Sequence, residues 1–265
     1  MTLLEGKTAL VFGVANDHSI AWGISKAMHD QGAKLAFSYA VDSLERRVRP
    51  LAESVGSDFI EKCDVTSDDE LKAVFEKAKK ALGKIDILVH AVAFAEREDL
   101  MGRFVDTSRA GFHRAMDISV FSFCALARHA LPLMEDGGSM MTMTYYGSEK
   151  VSPNYNVMGV AKAALEATTR YLAADLGPLN VRVNAISAGP VRTLSAAGVS
   201  GFKRMYRHFA DLAPLRRNIG IEDVGGAAVW LASDLSSAVT GEVVFVDAGY
   251  NIMGVPNLED QPSEN

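Results

Sequence analysis

The sequence predicts one α/β domain, a doubly wound sheet of about seven parallel strands with helices on both faces. Three observations carry this. Apolar runs of strand length alternate with longer helix-period stretches from one end to the other, the pattern of parallel strands joined by crossover helices. At 265 residues and 48% hydrophobic the chain can bury a large core, and no internal repeat or Pro/Ser-rich linker divides it. The first apolar run, Thr8 to Phe12, leads straight into Gly13, so the first turn after it is a candidate ligand loop.

Strands are expected near Thr8 to Gly13, Lys34 to Tyr39, Asp58 to Cys63, Ile85 to His90, Ser139 to Tyr145, Arg182 to Ser187 and Val243 to Asp247. Helices fill the intervals, starting near Ile20, Ser43, Ser67, Gly111, Tyr155 and Glu222. Ser67-Asp-Asp-Glu70 reads as a capping box, with the serine accepting from a first-turn amide and Glu70 reaching back to the Ser67 amide. Gly32, Gly56, Gly83 and Gly177 read as left-handed caps that close helices. Residues 1–256 are expected to form the single domain, and the polar, acidic tail 257–265 to be disordered.

A net charge of −6 argues against a nucleic-acid surface. No run is long enough to span a bilayer and none reads as a signal peptide, so a cytoplasmic protein is expected. Cys63 and Cys124 match no metal-ligand spacing and read as two small hydrophobes; no metal site is expected.

After the first strand come Gly13-Val-Ala-Asn-Asp-His-Ser19-Ile-Ala-Trp-Gly23. This departs from the literal G-x-G-x-x-G pattern. Gly13 can turn sharply, Ser19 can cap the following helix whose N-terminus attracts a pyrophosphate, and Gly23 allows helix to pack closely on strand. Beyond the second strand, Phe37-Ser-Tyr-Ala40-Val-Asp42 offers no lysine or arginine to neutralise a 2′-phosphate, while Asp42 could accept from a ribose hydroxyl. NADH is therefore expected over NADPH. Asp64 at the end of the third strand could accept from an adenine amino group, and small residues at Ala91 and Ala93 let backbone approach the cofactor.

Tyr155 and Lys162 stand seven residues apart in an apolar, Ala-rich run. On a continuous helix, seven steps return to nearly the same face, roughly 10 Å along the axis. A phenol that hydrogen-bonds a reducible carbonyl, beside a lysine that holds a ribose and lowers the phenol's pKa, suits hydride transfer. Tyr146 and Lys150 also match the shorter Tyr-x-x-x-Lys spacing, but they follow the fifth strand immediately and read as a decoy.

With these pieces in register, the chain from Gly6 to Gly254 closely resembles the enoyl-acyl-carrier-protein reductases, a divergent branch of the short-chain dehydrogenase/reductases. The most specific matches are Ser19-Ile-Ala-Trp-Gly23, Pro153-Asn-Tyr155-Asn-Val-Met-Gly159, Arg182-Val-Asn-Ala-Ile-Ser-Ala-Gly-Pro190 and the run Val239 to Gly249. The resemblance implies a Rossmann-type fold, with Tyr155 and Lys162 as the catalytic pair and Tyr145 as a second active-site tyrosine. It implies cofactor contacts at Gly13, Ser19, Ile20, Ala40, Asp64, Val65, Val92, Lys162 and the segment Val191, Arg192, Thr193, Leu194 and Ser195. Ala40 replaces a residue that is often polar or basic in the family. Ala95 matches a position contacting the acyl thioester, and Met158, Ala196, Val199 and Phe202 are expected to complete the substrate wall with Tyr145 and Tyr155. The implied reaction passes hydride from NADH to the β-carbon of a trans-2-enoyl thioester carried by acyl carrier protein, in a homotetramer.

Residues 191–214 form an insertion before the last helix-strand unit, read as a lid over an acyl chain or as a peripheral helix pair. Lys203, Arg204, Arg207, Arg216 and Arg217 make it basic within an acidic protein, so it either steers an acidic carrier protein or presents a solvated face. The small residues of the helix after Tyr155 suggest packing against another subunit. Two other readings stand beside the enoyl reductase. A carbonyl reductase or alcohol dehydrogenase of the same fold is disfavoured by the longer Tyr/Lys spacing, and a non-catalytic dinucleotide sensor by the presence of both residues.

Overall fold

The computed structural model describes residues 2–197 and 201–255, with only the backbone of Ser195 and Ala197. The segment from 198 to 200, which contains Val199, and the tail from Pro256 lie outside the described residues. Seven parallel strands run in the order β3-β2-β1-β4-β5-β6-β7. They are β1 (Thr8–Phe12), β2 (Lys34–Tyr39), β3 (Ile60–Lys62), β4 (Ile87–His90), β5 (Gly138–Thr144), β6 (Val181–Ala188) and β7 (Val243–Val246). The order reverses direction between β1 and β4, and that crevice is where a doubly wound sheet binds its ligand.

The alternation of β-strand side chains divides the core into two layers. Val11, Phe37, Val89 and Ile186 point to one face, packed with Ile24 and Met28 of α1 (Ile20–Asp30), Val48 of α2 (Asp42–Ser54) and residues of the last helix. Leu10, Phe12, Leu88 and Met140 point to the other, against α3 (Asp68–Leu82) and later helices.

After β4 come the single-turn α4 (Arg97–Leu100), α5 (Arg109–Met116) and α6 (Ser122–Ala130). A π-helical segment, Asp117–Phe121, joins α5 to α6 into one run. Then come α7 (Val157–Leu176), α8 (Leu194–Ala197), α9 (Phe202–Leu212) and α10 (Ile221–Ala232).

Several local expectations are corrected. The third strand is shorter than Asp58 to Cys63, although Phe37 N–H to Phe59 C=O and Cys63 N–H to Tyr39 C=O, each 2.9 Å, extend the pairing beyond its ends. Ser67 caps α3 by accepting from the Glu70 amide at 3.2 Å, but the Glu70 carboxylate takes the Asp64 amide at 2.7 Å rather than that of Ser67. Gly177 stays right-handed at φ −54°, because a 3-10 turn continues the chain to Asn180, which takes the left-handed conformation at φ 59°. Gly23 packs against another helix rather than a strand, for a Cβ there would lie 2.5 Å from Ile221 Cβ at the start of α10. On α7, Ala161 and Ala173 are buried in the chain's own core while Ala163 and Ala174 are exposed, so the alanines do not form one free face.

Candidate active site

A cavity of about 470 Å³ opens beyond the carboxyl ends of β1, β4, β5 and β6. It is lined by Gly13, Ser19 and Ile20 after β1, by Val92 and Ala95 after β4, by Tyr145 after β5, by Tyr155, Met158 and Lys162, and by Val191, Thr193, Leu194, Ala196 and Phe202. Most of the expected site residues therefore converge on one space. Ala40 and Asp64 are exposed and Val65 is packed in the core, and none of the three lines this cavity. Arg192 turns outward, its guanidinium 4.5 Å over the Tyr206 ring.

The floor is set by how closely two loops approach. Gly13 has φ 109°, and a Cβ on it would stand 2.2 Å from the Ala91 carbonyl oxygen, so only glycine fits this crossing of the β1 and β4 loops. The Ser19 hydroxyl does not cap α1. It donates to Asn16 C=O at 2.6 Å, so that side chain leaves the first-turn amides of Ile20 and Ala21 at the cavity wall untouched. A helix N-terminus presented this way suits a pyrophosphate.

Tyr155 and Lys162 are brought together differently from the helical spacing. Tyr155 precedes α7, and Asn154 and Asn156 turn the chain with φ 63° and 38°. The two side chains nevertheless share one cavity. Lys162 is buried and donates to Met143 C=O at 2.7 Å, one of its three N–H groups. Burial pulls its pKa down to about 8, while Glu166 acts in the opposite direction. Burial also pushes the Tyr155 phenol up, with Tyr145 and Glu166 adding to the effect. The expectation that the lysine lowers this phenol's pKa is thus reversed in the free protein, because loss of hydration dominates.

Tyr145 packs edge-on against Tyr155, ring centroids 5.0 Å apart. Its hydroxyl approaches Met205 Sδ of α9 at 3.6 Å, and burial raises its pKa. Tyr146 and Lys150 line a neighbouring cavity instead, and the Tyr146 hydroxyl donates to Asn251 C=O at 3.2 Å.

The sequence reading missed other contributors. Arg97 enters the cavity from α4 and Ser152 also lines it, beside Met205 of the 191–214 segment. Ser119, in the π-helical segment, brackets Phe94 by accepting from its amide at 3.1 Å and donating to its carbonyl at 3.3 Å, which holds the loop after β4 in place. Only the glycine and alanine content of these loops hinted at close packing. At the sheet edge Lys62 of β3 reaches Asp42 at 2.9 Å. A cation does stand beside the acid, supplied by a strand the local sequence could not place there.

Cys63 and Cys124 are free, and burial raises both thiols, Cys63 to about 12. Of the basic stretch, Arg217 is spent on a bidentate pair with Asp223 at 2.8 Å and Arg216 bonds Asp211 C=O, whereas Lys203, Arg204 and Arg207 are exposed on α9. Among the described residues, no group of side chains is arranged to hold a metal and no helix is long and apolar enough to cross a membrane.

Comparison with known proteins matches the chain over residues 13–251 to the family described as enoyl-(acyl carrier protein) reductase. An NADH-type enoyl-[acyl-carrier-protein] reductase of Rhizobium meliloti is 54% identical over 257 residues, covering 97% of this chain and 96% of that protein. One from Bacillus cereus is 55% identical over 256 residues, covering 96% and 100%. The crystal structure of the Anaplasma phagocytophilum enoyl-(acyl-carrier-protein) reductase in complex with NAD superposes with a TM-score of 0.94 at 50% identity, covering 97% of this chain and 98% of that one. With identity of this order along nearly its whole length, and with Tyr155 and Lys162 facing one cavity at the sheet's reversal point, the chain belongs to the enoyl-acyl-carrier-protein reductase family.

Proposed function

We propose that the protein reduces trans-2-enoyl thioesters of acyl carrier protein to saturated acyl thioesters with NADH. The observation that carries the reading is the convergence of Tyr155, Tyr145 and Lys162 on the cavity at the β1/β4 crevice. The residues present fit a dinucleotide: the Gly13 crossing has room for backbone but no Cβ, the α1 N-terminus faces the cavity, and Lys162 keeps two N–H groups beyond its bond to Met143.

When bound, NADH supplies a hydride to the β-carbon of the enoyl group. Tyr155 keeps its proton across neutral pH and donates a hydrogen bond to the thioester oxygen as negative charge gathers there. Lys162 holds the ribose and so fixes the distance between donor and acceptor carbons. A proton taken from solvent water then goes to the α-carbon, which completes the saturated product and leaves the Tyr155 phenol protonated. Tyr145 orients the thioester against the Tyr155 ring, and Ala95, Met158, Ala196 and Phe202 line the acyl path. Ala40, Asp64 and Val65 serve the adenosine end, outside the cavity that holds the chemistry.

Residues 1–256 act as one domain in this reading, with the segment 191–214 covering the acyl chain. Lys203 and Arg204 steer the acidic carrier. The assembly is a homotetramer in the cytoplasm, which light scattering on the purified protein tests. Loss of NADH absorbance with a trans-2-enoyl thioester, beside a 3-ketoacyl thioester, tests the activity. Turnover of only the ketoacyl compound would transfer the protein to carbonyl reduction.

A further inference from the structure

We propose that Glu166 is a positioning residue, a buried carboxylate that balances the charge of Lys162 and ties the end of β5 to α7. Glu166 is 7% exposed and Lys162 5%. A carboxylate so far from water needs compensation beyond one neutral donor. The Thr144 hydroxyl gives it a hydrogen bond at 2.6 Å. On its own helix Lys162 lies four residues earlier and Arg170 four residues later, both on the same face, but Lys162 is buried with Glu166 whereas Arg170 is exposed to solvent.

The two residues also grip successive positions of one strand. Lys162 bonds the carbonyl of Met143, and Glu166 bonds the side chain of Thr144. Tyr145 comes next, and its ring meets that of Tyr155. The direction in which the chain leaves β5 toward Tyr145 is thus tied to the helix that carries Lys162.

The charge of Glu166 favours the ammonium form of Lys162, against the burial that disfavours it. Around the pair, β4 contributes His90, held neutral between Thr142 and Ser122. β5 contributes Tyr145, the turn before α7 contributes Tyr155, and α4 contributes Arg97 at the cavity wall. The β6 side chains Asn184 and Ser187 are uncharged. Without Glu166, an ammonium in this setting would face desolvation with no opposing charge.

The inference rests on the reductase reading only for its effect on NADH binding, so its decisive test uses cofactor-free protein. The ε-carbon of Lys162 is followed by NMR across pH in 13C-lysine-labelled wild type and Glu166→Gln. The midpoint is expected to fall by about one pH unit in the variant, a tenfold change in the ratio of ammonium to amine. NADH affinity, read by fluorescence, should then weaken at a lower pH than in wild type. Thr144→Val keeps the charge and removes its hydrogen bond, so the lysine midpoint should hold or rise. An unmoved midpoint in Glu166→Gln, or a fall in Thr144→Val, overturns the proposal. Failure of the reductase reading would appear instead as no turnover of enoyl thioesters by wild type, with the lysine titration still decisive.

Discussion

The ring of Tyr145 meets that of Tyr155 edge to face, centroids 5.0 Å apart and planes inclined at 74°. The first tyrosine follows β5 and the second ends the turn before α7, so the two loops meet through these rings. Tyr155→Phe removes the donor to the thioester oxygen and should lower kcat by about a hundredfold or more, the usual cost of losing one such donor. Tyr145→Phe keeps the ring contact and should cost much less, mainly in KM. Tyr146→Phe, in the neighbouring cavity, should leave substantial activity. Steady-state kinetics of the three variants checks the ranking, and near-total loss in Tyr146→Phe would refute it.

His90 gives the fold an acid limit. It is fully buried between the Thr142 and Ser122 hydroxyls, each 2.7 Å away, and its pKa is lowered to about 3, chiefly by burial and then by Lys162. The unfolded chain takes up this proton near pH 6.5 and the folded one does not. Stability from this group is therefore full above pH 6.5 and is lost as pH falls toward 3, by about 1.4 kcal/mol per pH unit. Chemical denaturation between pH 7 and 5 should show this slope, and His90→Gln should flatten it.

Gly13→Ala places a methyl group against the Ala91 carbonyl. The crossing loops must separate, so NADH affinity should drop by about tenfold, ~1.4 kcal/mol, while circular dichroism stays native. Undiminished affinity by titration calorimetry would count against this floor for the cofactor.

Asp42 and Lys62 pair at the exposed β2/β3 edge of the sheet, where the proposed reading puts the adenosine of the cofactor. Asp42→Ala frees the lysine to meet a 2′-phosphate and should tighten NADPH several-fold relative to NADH, in line with about 1 kcal/mol for an exposed charge. Lys62→Ala should act in the opposite direction. Dissociation constants for both cofactors measure the ratio directly.

Much of the fold was legible because its signals are local. Apolar runs and helix-period stretches located all seven strands, and the starts of α1, α2, α3, α5, α7 and α10 fell within two residues of the expected positions. The one-turn α4 and the π-helical segment escaped, since a single turn leaves no periodicity and the π-helical segment continues helical periodicity on either side. Tyr155 and Lys162 were recognised as a pair, but for a helical reason that Asn154 and Asn156 remove.

The sequence by itself determined the layered α/β architecture, the glycine at the β1 loop and the family, because strand alternation, turn chemistry and motif spacing are properties of contiguous residues. Only the tertiary structure decided that Lys62 faces Asp42, that Ser119 holds Phe94, that Thr144 meets Glu166, and that burial rather than charge governs the Tyr155 phenol. These relationships join residues about twenty apart or more, or depend on how much water packing excludes. Both are settled when the layers close over the sheet.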